Sequence, residues 1–264
     1  MPIAFNESGS YLDATRAEFI RAQCAGAHPE ALGLFTAYAW QWAGLSAPPD
    51  AWKWGAAVAI PSFERGFVTQ LRLNSQSLAG VVPLRQLFVC EPIAEVLFEI
   101  GVAGPERAVD ARTLLPFSRP IAVKVTRLWG PNRASQDAFL AALLSAPVMA
   151  SASEVTLAGL SPGRAGTPLV PWLARSPFLG KVRALNLSHN GFGDPEACDL
   201  AQNPRLTQVE RLSLAHNRIG NAGAQALAQS PHLRNVTRID LTSNRIGGDG
   251  LATLVARFGS GLKA

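Results

Sequence analysis

Cysteine is scarce in this sequence. The 264 residues contain three cysteines, Cys24, Cys90 and Cys198, which are widely spaced and form no CxxC pair. An odd number of isolated cysteines argues against both a disulfide framework and a zinc module. We therefore expect reduced, mostly buried thiols.

Long apolar runs are also missing. No stretch approaches the roughly 18 uninterrupted apolar residues of a membrane-spanning helix. The first residues have neither the basic nor the apolar region of a secretion signal. The chain is nonetheless 48% hydrophobic and only 16% charged, which suits a large buried core and not a disordered tail. These observations predict a folded, cytoplasmic protein with no membrane segment.

Most motifs of common enzymes are absent as well. There is no HExxH and no glycine loop of the kind that cradles phosphate, and the one GxSxG string is GLSPG at residues 159–163. The Asp, Glu and His residues are scattered, with no spacing that would bring an acid and a base together. We expect no enzymatic activity and no cofactor.

Negative charge is in slight deficit, and the net charge is +5. Residues 181–264 carry ten basic and six acidic side chains, whereas residues 1–180 carry 14 and 13. A basic excess attracts nucleic acid. A nucleic-acid-associated scaffold that uses the C-terminal excess therefore stays open as an alternative function.

An internal repeat dominates the C-terminal part of the chain. Three segments align without gaps at a constant offset of 27: VRALNLSHNGFG from Val182, VERLSLAHNRIG from Val209 and VTRIDLTSNRIG from Val236. Their L-x-L alternation predicts a short strand with one apolar face. A segment of helical period follows, and a Ser-Pro or Asn-Pro pair ends it. Such units bury their apolar faces only by stacking, which predicts a curved parallel solenoid.

One asparagine recurs in register, at Asn190, Asn217 and Asn244. It follows the strand where the chain turns, and its amide can pair with backbone groups that would otherwise be buried without partners. We predict that the three asparagines form a structural ladder.

Two histidines precede ladder asparagines, His189 and His216. Neighbouring strands lie about 4.8 Å apart, so the two side chains are expected to be adjacent. A metal or pH-sensing site there lacks a third ligand, because the third copy has Ser243. We interpret both histidines as turn residues and predict no metal site.

Degenerate copies precede the regular repeats. One matches the unit from Val182 at the same offset of 27 and has these residues at its apolar positions: Val155, Ala158 and Leu160. Another begins with Val125 and Leu128, at an offset of 30, and continues into a predicted helix over Gln136–Leu144.

Residues 209–228 agree almost position for position with the pattern LxxLxLxxNxIGxxGxxxLA. On this pattern the C-terminal part resembles ribonuclease-inhibitor-type leucine-rich repeats. The resemblance implies an α/β solenoid with a parallel sheet on the concave face and helices on the convex face. It also implies protein binding on the concave face and brings no catalytic residue.

Two further strings carry a second resemblance: RAEFIRAQCA at residues 16–25 and FERGFVTQLRL at residues 63–73. Both resemble a companion domain that precedes such repeats in bacterial multi-repeat proteins. In that domain the first string ends a helical hairpin and the second begins the first strand of the array. The helical segment expected upstream is reduced here to the first fifteen residues. The companion domain is therefore expected to be shortened or remodelled.

Tryptophan is concentrated between these strings, at Trp40, Trp42, Trp52 and Trp54. The end of a solenoid must be covered, and large aromatics bury much area per residue, which favours a cap. Tryptophan is also enriched at interface hot spots, so a docking site over residues 38–56 stays open.

The middle of the chain is irregular. LRQLFV, at residues 84–89, predicts a strand, and PIAEVLFEIG, at residues 92–101, predicts a short helix or a second strand. We interpret this stretch as imperfect repeats. The expected organisation is a small, mainly helical companion or capping region over 1–80 and a leucine-rich-repeat solenoid over 81–264, irregular over 81–154 and regular over 155–264.

The outward-facing strand positions define the candidate binding surface. They are predicted to contact a partner, and they are Asn186, Ser188, Arg211, Ser213, Arg238, Asp240 and Thr242, with Arg127 and Trp129 from a degenerate copy. The same alignment places Leu157 and Gly159 outward in the copy between them. A face that mixes Arg with Ser, Asp and Trp suits a protein partner better than a phosphate backbone.

The sequence therefore favours a non-enzymatic protein-interaction module, an adaptor, inhibitor or assembly subunit, that binds a partner on the concave face. The identity of the partner does not follow, because one fold hosts many binding functions.

Overall fold

The computed structural model describes residues 18, 21–22, 59–64, 67–74, 94–101, 120–129, 133–160 and 169–264. For residues 59–64, 67–74, 98–101, 126–129, 133–135 and 139 it describes the backbone. Within these ranges nine strands form one sheet, in chain order: β1 (Ala59–Glu64), β2 (Phe67–Asn74), β3 (Glu95–Gly101), β4 (Ile121–Trp129), β5 (Ala152–Thr156), β6 (Ala184–Asn186), β7 (Arg211–Ser213), β8 (Arg238–Asp240) and β9 (Leu262–Lys263).

Helices connect the later strands. They are α1 (Arg133–Leu144), α2 (Leu169–Arg175), α3 (Asp194–Ala201), α4 (Asn221–Gln229) and α5 (Gly248–Phe258). Short 3-10 turns lie at Pro147–Ser151, Leu179–Lys181, Pro204–Leu206 and Gly259–Gly261. No helix in the described part of the chain is both long enough and apolar enough to cross a bilayer.

The sheet is parallel from β2 onward. β1 and β2 pair in antiparallel fashion, and every later pair of neighbours is parallel. Parallel neighbours need a crossover connection, and one helix supplies it at each step from β4 to β9. The predicted α/β leucine-rich-repeat solenoid is confirmed.

A single apolar row crosses the sheet. Its members pair in successive strands and are at most 2% exposed: Val96, Val123, Val155, Leu185, Leu212 and Ile239. The helices bring a matching row of equivalent leucines, one from each of α2 to α5 and each fully buried: Leu173, Leu200, Leu227 and Leu254. Burying one such side chain stabilises the fold by about 1.5–3 kcal/mol, so the two facing rows are its main support.

The Ser-Pro and Asn-Pro pairs do more than end helices. The Ser176 hydroxyl donates to the Leu144 carbonyl at 2.6 Å, and the Ser230 hydroxyl donates to the Ala201 carbonyl. Each serine thereby satisfies a carbonyl at the end of the helix in the preceding unit. Asn203 occupies the same place between them, but its buried Nδ2 finds no partner among the described residues.

The sheet begins upstream of the boundary predicted at residue 80. β1 and β2 lie within the region expected to be mainly helical, and β2 joins the solenoid sheet because Gln70–Asn74 pairs in parallel register with β3. Within the string at 63–73, β1 ends at Glu64 and β2 begins at Phe67. Within PIAEVLFEIG, Glu95–Gly101 forms a strand, β3.

Little else of the N-terminal region falls in the described residues. Glu18, Arg21 and Ala22 are helical, inside the string at 16–25, and Ala22 belongs to the buried core. The tryptophan-rich segment 38–56 and the string LRQLFV lie outside the described residues. The helical cap therefore stays a prediction.

Candidate functional site

The strand register defines two outward rows on the sheet face opposite the helices. Side chains alternate between the faces of a strand, so the residues on either side of the buried row point away from the core. One row is formed by Ala122, Glu154, Ala184, Arg211 and Arg238. The other is formed by Lys124, Thr156, Asn186, Ser213, Asp240 and Lys263.

The register of the first degenerate copy differs from the expected one. Val155 pairs with Leu185, at an offset of 30 and not 27. Leu157 consequently lies in the core with 0% exposure, although the alignment had placed it outward. Glu154 and Thr156 take the outward positions, and both were missed by the sequence analysis.

The register of β4 is also shifted. The partner of Val155 is Val123, where the sequence alignment had placed Val125. Arg127 and Trp129 therefore lie further along β4 than the two outward rows, and they pair with the last residues of β3. Their side chains lie outside the described part of the structure, and their contact with a partner stays a prediction.

The outward rows line a depression of about 470 Å³ that extends from β5 to β9. Five of the residues predicted to bind a partner lie on its wall: Asn186, Arg211, Ser213, Arg238 and Asp240. The lining residues that were not predicted include Glu154, Thr156 and Lys263 from the outward rows. Ser188 and Thr242 are not part of the wall but contact it from beyond the strand ends.

Ion pairs join side chains of different repeat units on and beside this face. They are Lys124–Glu95, Arg183–Glu210, Arg211–Glu154 and Lys263–Asp240. The Arg211 side chain crosses the small Ala184 to reach Glu154, two strands away. Exposed pairs of this kind contribute about 0–1 kcal/mol each to stability, so their main effect is to neutralise the face.

Arg238 differs from the other charged residues of the depression. It is exposed, and no acidic side chain among the described residues pairs with it. Its Cα partner on β7 is Arg211, another cation. The depression therefore holds one positive charge without a counter-charge in the described structure.

Both oxygens of the Asp240 carboxylate accept hydrogen bonds. Its Oδ1 accepts from the Thr242 hydroxyl at 2.7 Å and from the Thr242 amide at 3.0 Å, and its Oδ2 accepts from Lys263 Nζ at 3.0 Å. Partial burial raises the pKa of Asp240, but these hydrogen bonds and the Lys263 charge outweigh it and leave the pKa below its ordinary value of 3.8. Asp240 is therefore ionised at neutral pH.

The polar side chains at the centre of the face bond to one another. The Ser188 hydroxyl donates to Asn186 Oδ1 at 2.7 Å and lies 2.8 Å from the Ser213 hydroxyl. Ser188 is only 7% exposed. It therefore orders Asn186 and Ser213 and offers little surface of its own.

The three ladder asparagines bridge successive turns. Asn217 Nδ2 donates to the carbonyls of Leu187 and Leu214, at 3.2 and 2.8 Å, and its Oδ1 accepts from the amides of Asn190 and Phe192, at 3.0 and 3.1 Å. Asn190 and Asn244 make the corresponding bonds one unit to either side. Each asparagine thus satisfies buried backbone groups of its own unit and of its neighbour.

His189 and His216 are exposed and stack, with ring centroids 4.2 Å apart and planes inclined by 10°. Both have positive φ, 59° and 55°, as does Ser243 at 58°. They are turn residues, as the sequence indicated. Within the described residues no three His, Cys, Asp or Glu side chains come together in a way that could hold a metal ion.

A signal in the sequence could have located Glu154 and Thr156. Gly159 has a φ of 70° and occupies the turn position that His189 occupies in the next unit. Glycine is the residue expected at a positive φ, so aligning Gly159 with His189 gives the correct offset of 30. Lys263 has no such signal, because β9 is only two residues long.

Comparison with known proteins gives one family match. A model described as a leucine-rich repeat matches residues 181–195, 206–228 and 232–255. No curated protein matches the chain. Among solved structures, the chain is similar to an internalin from Listeria monocytogenes, at 16% sequence identity and a TM-score of 0.25, over 65% of this chain and 67% of that chain. The protein carries leucine-rich repeats and is built as an α/β leucine-rich-repeat solenoid.

Proposed function

We propose that this chain is a non-enzymatic protein-interaction module, an adaptor, inhibitor or assembly subunit, that holds a partner protein on the concave face of its sheet. Leucine-rich repeats generally mediate protein–protein interactions. The observation that carries the proposal is the depression of about 470 Å³, which is lined by outward side chains from five successive strands.

The chemistry of the face supports a protein partner. Asn186, Arg211, Ser213 and Asp240 lie side by side on the sheet, and each is bonded to another side chain of the face or of the adjoining turns. Preorganised side chains lose little conformational entropy on binding. Arginine is moreover one of the residues enriched at the energetic centres of protein interfaces.

The same proposal includes three finer assignments. The constant offset of 27 and the pattern over residues 209–228 support a ribonuclease-inhibitor-type repeat. The strings at 16–25 and 63–73 support a remodelled bacterial companion domain at the N-terminal side. The isolated cysteines support a cytoplasmic location, where thiols stay reduced.

The distribution of the basic residues favours protein over nucleic acid as the partner. Arg218 and Arg245 follow the strands, Lys181 and Arg205 precede them, and Arg238 lies on the sheet between. Phosphate backbones are bound by cations gathered along one groove or face. The first four lie beyond opposite ends of the strands, and of the three cations that line the depression, Arg211 and Lys263 are paired with carboxylates, so no continuous track of free positive charge is formed.

The test is a pull-down from native lysate, with and without nuclease, using variants of the concave face. Arg238→Glu reverses the charge in the depression, and Thr156→Trp fills it without a change of charge. We expect a nuclease-resistant, stoichiometric protein with the parent chain and its loss with both variants.

Two matched controls carry the same chemical changes elsewhere. Arg245→Glu reverses an exposed charge beyond the strands, and Gln225→Trp adds the same bulk on the exposed side of α4. Both should retain the partner. Equal capture of the partner by the concave-face variants and the control variants would exclude the concave face as the binding site. Recovery that depends on intact nucleic acid would favour the nucleic-acid scaffold.

A further inference from the structure

We propose that the concave depression selects an acidic segment of its protein partner, with an Asp or Glu side chain bound by Arg238. The inference rests on the proposed function and deepens it, because it gives the partner a chemistry. It starts from the arrangement of charge on β5 to β9 and not from the fold alone.

Two arginines face each other across β7 and β8. Arg211 and Arg238 are Cα partners in adjacent parallel strands and lie on the same face. Like charges placed opposite each other on a sheet repel and destabilise it. Such a pair is tolerated when an anion neutralises each member.

Arg211 has its anion within the chain. Its guanidinium lies against the Glu154 carboxylate, which it reaches over the methyl group of Ala184. This contact turns Arg211 towards β5. The side of Arg238 that faces the depression is left open.

Arg238 is not paired with the acid nearest to it in the sequence. Asp240 lies two residues away on the same face, but both of its oxygens are engaged, by Thr242 and by Lys263. The described residues thus provide a carboxylate for each of the other two cations that line the depression, Arg211 and Lys263, and none for Arg238.

A carboxylate from outside completes the pattern. The guanidinium fork of an arginine binds a carboxylate through two parallel N–H···O bonds, a geometry that an ammonium cannot offer. An acidic side chain in an extended segment would reach Arg238 on the floor of the depression. The face then becomes electrically balanced, and the repulsion between Arg211 and Arg238 is relieved.

The probe is a short fluorescein-labelled peptide with a central run of alternating Asp and Glu residues. Its counterpart has Asn and Gln at the same places. Binding to the full chain is measured by fluorescence anisotropy at about 0.01 M and about 0.15 M salt, where the screening length falls from about 30 Å to about 8 Å. We expect the acidic peptide to bind at least about tenfold more tightly than the amide peptide, since hydrogen bonds to charged groups are the stronger ones.

The matched variants are Arg238→Gln and Arg245→Gln, which remove the same charge from two exposed positions of one repeat. Arg238→Gln should weaken binding of the acidic peptide about tenfold, whereas Arg245→Gln should leave it within about twofold. Equal weakening by the two variants would mean attraction by net charge and would overturn the proposal. So would equal affinity of the parent chain for the two peptides, a comparison that needs no variant.

The two proposals fail in different ways. If neither peptide binds while Arg238→Glu and Thr156→Trp still abolish capture of the lysate partner, selection of an acidic segment is wrong and protein binding on the concave face is supported. If capture is unchanged by those variants, the proposed function itself is wrong.

Discussion

At the scale of the residue, the turn after each regular strand combines a strained backbone with a side chain that compensates for it. His189, His216 and Ser243 adopt positive φ values, which cost L-residues about 1–2 kcal/mol each. The next residue in each turn is a ladder asparagine, whose amide joins the backbones of two units. Each such bond contributes about 0.5–1.5 kcal/mol, so the ladder more than offsets the strain.

Asn203 is a residue at which one substitution should improve the fold. It is 2% exposed, and its Nδ2 has no partner in the described structure. Ser176 and Ser230 occupy the same place in the adjacent units and donate to a carbonyl of the preceding helix. Asn203→Ser should therefore raise the free energy of unfolding by about 1 kcal/mol, because it replaces an unpaired buried donor with a paired one.

Urea denaturation monitored by circular dichroism measures this change. The matched control is Asn235→Ser, at an exposed position, which should not raise the free energy of unfolding. An Asn203→Ser variant with unchanged or lower stability would show that a serine hydroxyl does not reach the helix end in this unit.

At the scale of the element, α4 and α5 are each capped by a side chain of the helix before. Asp194, at the start of α3, accepts hydrogen bonds from the amides of Gly220 and Gly223 at the start of α4, at 2.6 and 2.9 Å. Asn221 repeats the arrangement one unit later and accepts from Gly247 at 2.7 Å. A residue with a side chain does not fit at Gly223, because its Cβ would lie 2.7 Å from the Asp194 carboxylate. The units are therefore joined by caps as well as by apolar packing.

Removing such a cap should weaken two units at once. Asp194→Ala should lower the free energy of unfolding by about 1–2 kcal/mol, because two amides of α4 lose their acceptor. The free energy of unfolding of Asp194→Asn should differ from that of the parent chain by less than about 0.5 kcal/mol. The amide oxygen of Asn221 accepts the equivalent hydrogen bond one unit later, so this substitution removes only the charge at the start of α3.

Asp199→Ala is the control, since it removes the same charge from an exposed position of α3. It should change stability by less than about 0.5 kcal/mol. Urea denaturation of the three variants separates the cap from the charge. Equal effects of Asp194→Ala and Asp199→Ala would contradict the capping role.

At the scale of the whole molecule, stability depends on neighbours along the array. Ala224 and Ala228 of α4 are buried, whereas Leu251 and Val255, at the equivalent positions of α5 in the next unit, are 41% and 50% exposed. β9 forms the last strand of the described sheet and is only two residues long. In a solenoid each unit is stabilised by those beside it, so we expect the unit of α5, whose Leu251 and Val255 are exposed, to open before the units with buried equivalents.

Hydrogen exchange should show this gradient along one row of backbone bonds. The amides of Leu187 and Leu214 donate to Ser213 and Asp240 within the array, both at 2.8 Å, and that of Leu241 donates to Lys263 of β9 at 2.6 Å. We expect the amide of Leu241 to exchange at least about tenfold faster than the amide of Leu187. Opening the unit of α5 and β9 breaks the hydrogen bond of the Leu241 amide and leaves that of the Leu187 amide intact. Exchange measured by NMR under conditions that report opening equilibria tests this. Equal protection of the three amides would instead indicate that the array opens only as a whole.

The sequence determined by itself those features that depend on residues close together in the chain. The constant offset of 27, the L-x-L strands, the positions of the ladder asparagines and the Pro-terminated helices are local patterns of hydrophobicity and turn chemistry. Three adjacent copies made each of them unambiguous. The parallel sheet and the five outward residues of the regular repeats followed directly, because a strand has a two-residue period.

The tertiary structure alone decided which residues lie opposite each other where loop lengths vary. Leu173 keeps the offset of 27 from Leu200, whereas Val155 has an offset of 30 from its partner Leu185, so the connection between the strand and the helix of that unit is longer. One inserted residue between strands moves a whole row of side chains, and an alignment of apolar positions cannot locate it. The Glu154–Arg211 and Asp240–Lys263 pairs, and with them the isolation of Arg238, depend on that register and on a two-residue strand. They exist only once distant segments are packed side by side.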